Sequence, residues 1–133
     1  MNEDAANMRA YVRYRLEKAH EVYEAALILC NAEQWNSAIN RLYYACFYSA
    51  SALLLNRSIY TKSHSGVIGQ FSEHIVREGI MTKEEFRVYA KLLNWRSKGD
   101  YNDLYDFCRE DVEPIVPKVR EFIDKIDSLI EID

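Results

Sequence analysis

Apolar residues recur along this chain at three- and four-residue spacings, the period of an α-helix rather than a strand. The first stretch, over about 4–31, carries Val12, Leu16, Ala19, Val22 or Tyr23, Ala26 and Leu29 on one stripe. Glu17, Lys18, Glu21 and Glu24 occupy its wet face. The polar link Asn31–Gln34 is so short that the chain should return antiparallel. The second helix, from near Asn36 to about Asn56, breaks the pattern. Its string SAINRLYYACFYSASALLL is apolar nearly all round. One stripe is Ile39, Leu42 or Tyr43, Cys46, Ala50 and Leu53; another is Asn40, Tyr44, Phe47, Ser51 and Leu54 or Leu55. A helix with two apolar faces is covered on both sides. Asn40, Arg41 and the hydroxyls of Tyr43, Tyr44, Tyr48 and Ser49 argue against a membrane span. We expect the cover to come from the chain's own helices and from a second copy of the protein.

Residues 57–65 read as a loop, followed by a third helix to about Glu78 with Ser63 or Ser65 as its cap. Its stripe is Val67 or Ile68, Phe71 and Ile75, and Gly79 reads as a left-handed C-terminal cap. Thr82 and Glu85 form a capping box that opens the fourth helix. Phe86, Tyr89 or Ala90 and Leu93 define its apolar face, which then continues into Arg96 and Asp100. Gly99 loosens this end. The stretch 102–110 reads either as loop or as a weak helical turn. A fifth helix spans about 111–132, with Pro114 suited to its first turn and Pro117 at the limit of tolerance. The expected architecture is all-α: one domain over 1–133, an up-and-down bundle of about five helices.

Composition agrees. A chain of 133 residues is one domain with enough length for its own core. Four glycines and two prolines are too few for the turns of a β-sandwich or barrel. The net charge of −4 argues against broad phosphate-tracking nucleic-acid binding, although a local basic pocket remains compatible with it. Cys30, Cys46 and Cys108 are odd in number and read as reduced thiols of a cytoplasmic protein. The acidic start MNEDAANMRA is not a signal peptide. There is no Walker A loop, dinucleotide fingerprint, HExxH or zinc spacing, so no metal or cofactor is expected.

Two residues stand out chemically. Arg96 places a permanent, planar cation on an inward stripe, where it needs a partner or a pocket. It could simply pair with Asp100 at i, i+4. His64 stands at a helix start beside Lys62, Ser63 and Ser65, and could hold a phosphate or transfer a proton. It could equally make a local bond beside the cap. His20 and His74 read as solvated. The dense aromatics Tyr43, Tyr44, Phe47 and Tyr48 read as core or dimer interface more readily than as base-stacking platforms. Arg41 lies among them and could share a pocket with Arg96 or bind Asp100.

Three segments, SAINRLYYACFYSASALLL, TKSHSGVIGQF and LLNWRSKGDYND, together resemble the HEPN domain family in sequence and order. The resemblance spans roughly residues 10–130. It implies a four- or five-helix bundle, a homodimer, and often a small nucleotidyltransferase partner in a toxin–antitoxin pair. Many members are metal-independent endoribonucleases. Their motif is an Arg followed four to six residues later by a His, placed at the dimer groove. Arg96 matches that arginine, but Tyr101, Asn102 and Asp103 stand where a histidine would fall. The chain resembles instead a branch carrying Arg-x3-Asp-Tyr, here Arg96, Asp100 and Tyr101. A tyrosine is a poor base at neutral pH, so the catalytic candidates are Arg96, His64 and Tyr101 without an assigned base. The resemblance makes Asn40, Arg41 and Tyr44 of the central helix the neighbours of Arg96. The leading expectation is therefore a nucleotide- or RNA-binding module built on these residues. An endoribonuclease toxin and a purely structural helical dimer are the alternatives.

Overall fold

The computed structural model describes residues 2–101 and 106–130, with side chains over 5–97 and 106–130. Among the described residues every regular element is helical. In chain order these are α1 (Asn2–Asn31), α2 (Trp35–Asn56), α3 (His64–Phe71), a π-helical turn (Ser72–Val76) and α4 (Lys83–Tyr101). Then come α5 (Arg109–Val112), a 3-10 turn (Glu113–Ile115) and α6 (Val116–Leu129). No described helix is long and apolar enough to cross a membrane.

The central helix organises the rest, because α2 packs against α1, α3, α4, α5 and α6. Its pairing with α1 is antiparallel, as the short link requires. Arg15 donates to the Ser51 carbonyl oxygen at 3.3 Å, each residue lying a similar distance from the turn. The stripe Ile39, Leu42, Cys46, Ala50 and Leu53 is wholly buried. The second stripe is not covered evenly. Ser51, Leu54 and Leu55 are buried, but Asn40, Tyr44 and Phe47 are only half-buried, as are the adjoining Arg41 and Tyr48. Below α2 the core closes on aromatic rings. Phe71 and Tyr89 both adjoin Phe122, with centroids 5.8 and 5.7 Å away, and Phe86 stacks on Phe71.

Three helix ends use one device. Behind Asn31, Gln34 N–H reaches the Leu29 carbonyl while Glu33 takes a left-handed φ of 59°. Behind Asn56, Ile59 N–H reaches Leu54 and Ser58 takes 61°. Behind Val76, Ile80 N–H reaches Ile75 and Gly79 takes 79°. This is the Schellman pattern, but only the third site uses the glycine that accommodates it without strain. The capping box at the start of α4 has both bonds: Thr82 N–H to Glu85 at 2.9 Å and Glu85 N–H to Thr82 Oγ1 at 3.0 Å.

Four expectations are revised. The third helix begins earlier than the loop reading over 57–65 allowed, since His64 and Ser65 are already helical. It also widens into a π-turn at Ser72–Val76 before its cap. The last helix is not continuous from Asp111. It starts at Arg109 with Cys108 as its cap, and a 3-10 turn divides it. Pro114 and Pro117 supply the cause, because each lacks the N–H that an unbroken helix would use. Finally, His20 is not simply solvated: its Nε2 lies 2.6 Å from Asp127 Oδ2, joining α1 to α6.

Candidate functional site

The segment before α3 fixes where His64 stands. Ser63 caps the helix, its side chain accepting from Gly66 N–H at 2.9 Å. The backbone at Gly66 runs so close to this turn that a Cβ there would fall 2.3 Å from Thr61 Oγ1 and 2.7 Å from Ser63 Oγ. Gly66→Ala must therefore push the cap apart. Loss of a cap costs about 0.5–2 kcal/mol, so a lower unfolding midpoint and a shifted His64 ring resonance are expected; an unchanged His64 spectrum would show the turn yields without moving the ring.

His64 is held by α2. Phe47 stacks on the imidazole with centroids 4.5 Å apart, and Tyr44 meets it edge-on at 5.7 Å. Tyr43, fully buried, places its hydroxyl oxygen 2.6 Å from His64 Nδ1. Arg96 enters the same cluster from α4. Its guanidinium carbon lies 5.1 Å from the centre of the Tyr43 ring and 5.3 Å from that of Tyr44, within cation–π range. Its Nη2 donates to the Tyr44 hydroxyl at 3.3 Å. Arg41 approaches Tyr44 too, 5.5 Å from the ring centre, and donates to Asn40 Oδ1 at 2.7 Å. Asn40 and Arg41 also line a cavity of about 280 Å³ with Leu29, Asn36 and Ser37.

The sequence-level candidates therefore sort clearly. Arg96, His64 and Tyr44 form one cluster, and Arg41 with Asn40 adjoins it through Tyr44. Asp100 and Tyr101 end α4, and their side chains lie outside those described, as does the expected Arg96–Asp100 pairing. Two groups absent from the sequence-level set prove central to the geometry: the Tyr43 hydroxyl and the Phe47 ring. Both stood among the dense aromatics of α2, which read as core or dimer interface.

The electrostatics follow from burial and one cation. Burial pushes the Tyr43 phenol up to about 12, a rise that Arg96 partly offsets. Burial lowers the His64 imidazole below its usual range, and the Arg96 charge lowers it further. At neutral pH the cluster thus presents two guanidiniums, a neutral imidazole, the protonated Tyr43 phenol and half-buried aromatic faces. That set suits a planar ring bearing an anion: aromatic faces for stacking, and planar donors for phosphate oxygens.

Comparison with known proteins places the chain. The sequence model of the HEPN domain matches residues 12–129. A UPF0332 protein of Thermotoga maritima is 38% identical over 120 residues, covering 90% of this chain and 91% of its own. A Methanocaldococcus jannaschii protein named "putative toxin" is 34% identical over 131 residues, 98% of this chain and 95% of its own. A second M. jannaschii protein of the same designation is 33% identical over 110 residues, 83% of this chain and 75% of its own. With most of its length matched by the family and by these relatives, the chain belongs to the HEPN domain family.

Proposed function

We propose that this chain is a toxin-type HEPN module that binds a nucleotide or single-stranded RNA at the Arg96 cluster, beside a small nucleotidyltransferase partner. The observation that carries the reading is the half-buried Arg96 guanidinium set against the Tyr43 and Tyr44 rings, with His64 across the same rings. A structural ion pair would not need two aromatic faces and an imidazole around it. The toxin designation of the M. jannaschii relatives supports the biological setting. In this reading a second copy covers the half-exposed Tyr44, Phe47 and Tyr48 strip, bringing the ligand to a groove between subunits.

The runner-up is a metal-independent endoribonuclease. One observation favours it: His64 reaches the Arg96 cluster from a different helix, partly restoring the Arg-and-His pairing that the motif lacks. One experiment separates the readings. The purified chain is sized by sedimentation, titrated with fluorescent oligoadenylate and with 5′-AMP, then incubated with RNA in EDTA. We expect a dimer, saturable binding that weakens with salt, and intact RNA. Cleavage in EDTA would establish the runner-up, whereas intact RNA together with no saturable binding to either probe would defeat both in favour of a structural dimer.

A further inference from the structure

The hydrogen bond between Tyr43 and His64 can be drawn two ways. Either the phenol O–H donates to a bare Nδ1, or an Nδ1–H donates to the phenol oxygen. The second arrangement leaves the phenol proton needing another acceptor. Tyr43 is 0% exposed, and its hydroxyl's one hydrogen-bond partner among the described residues is this imidazole. The nearby charged group is Arg96, which carries donors only. A buried donor without an acceptor is costly, whereas a phenol oxygen can leave a lone pair unused more cheaply. The phenol also keeps its proton, because burial holds its pKa at about 12.

We propose that Tyr43 is a positioning residue that locks His64 as the neutral Nε2–H tautomer, so that His64 offers a ligand a hydrogen-bond donor and not a basic lone pair. Nδ1 is occupied by Tyr43, and Nε2 is the nitrogen left for a ligand. Protonating the ring would put a proton on Nδ1 and recreate the orphaned phenol proton. The charged group facing His64 from α4 is Arg96, and its own segment carries the exposed Lys62; α2 contributes the rings of Tyr43, Tyr44 and Phe47, with Arg41 beyond, on the Tyr44 ring. The Arg96 charge opposes a second positive charge on the ring. His64 Nε2–H and the Arg96 guanidinium then act as donors of one kind, suited to two oxygens of a phosphate. This ligand rests on the reading above, whereas the tautomer does not.

The consequence is chemical. A general base must accept the proton of an attacking hydroxyl, and the only lone pair of this imidazole already accepts from Tyr43. The site therefore favours holding a phosphodiester over cutting it.

The test is the 15N–1H correlation spectrum of the histidine rings in the full chain, with His64 assigned by its loss in His64→Gln. At pH 7 the wild type should show a non-protonated Nδ1 and a protonated Nε2. Tyr43→Phe keeps the ring and removes the hydroxyl; it should give mixed tautomers, a higher His64 pKa, and oligoadenylate binding weaker by about threefold or more. A wild-type Nδ1–H tautomer, a charged ring at pH 7, or a Tyr43→Phe spectrum identical to wild type would overturn the proposal. Should Tyr43→Phe fail to fold, the wild-type spectrum still decides. If the tautomer is as stated but oligoadenylate does not bind, the functional reading fails and this inference stands.

Discussion

Arg96→Ala is expected to weaken oligoadenylate binding by about ten- to hundredfold, the worth of removing charge-assisted hydrogen bonds to a phosphate. The salt dependence should shrink with it, by about one counterion in slope. Arg96→Lys should recover only part of the affinity. A lysine keeps the charge but loses the planar fork that the guanidinium holds within reach of the Tyr43 and Tyr44 rings. The same variant carries an internal check that needs no ligand. Arg96 is one of the two influences that lower the His64 pKa, so its removal should move that pKa upward. Fluorescence anisotropy measures the first effect and histidine NMR the second. Wild-type affinity in Arg96→Ala, with the fold intact by circular dichroism, would remove Arg96 from the site.

Phe122→Ala should be the most damaging single change to the fold, at about 3–5 kcal/mol. Phe122 is buried on α6 against Phe71 and Tyr89, so losing its ring removes aromatic contacts to both and leaves a cavity beside them. For a domain whose whole stability is about 5–15 kcal/mol, that is a large share. The unfolding midpoint should fall by more than about 10 °C. Glu121→Ala, the exposed neighbour on the same helix, should stay within about 0.5 kcal/mol of wild type. Urea melts of the two variants make the comparison. A loss near zero in Phe122→Ala would mean that α6 does not dock on the aromatic core as described.

The bundle was readable because helical periodicity is a repeated signal, and five stripes of it outvote any local ambiguity. Individual helix ends were readable only where the residue type betrays the backbone. Gly79 announced its left-handed turn; Glu33 and Ser58 adopt the same conformation with ordinary side chains and gave no sign. The prolines warned of trouble at the last helix but not of its form, since a proline removes a donor without saying whether the chain will kink or tighten into a 3-10 turn. The site was half legible. Arg96 stood out because a cation on an apolar stripe violates the pattern around it. Its meeting with His64 could not be read, because the two are brought together by α2, a third element, through Tyr43 and Tyr44. Likewise His20 looked like any polar residue on a wet face until α6 supplied Asp127 across the interface.

Tyr43 belongs to two communities of residues at once. Its ring lies 6.1 Å from Tyr89, at the edge of the aromatic core, while its hydroxyl holds the imidazole of His64. A replacement at this position must therefore satisfy the packing of the bundle and the hold on the imidazole in one step. The half-exposed rim of Asn40, Arg41 and Tyr48 carries no such double duty. If the proposed binding role holds, changes of ligand preference are expected along that rim, with the residue that joins cluster to core the slowest to change.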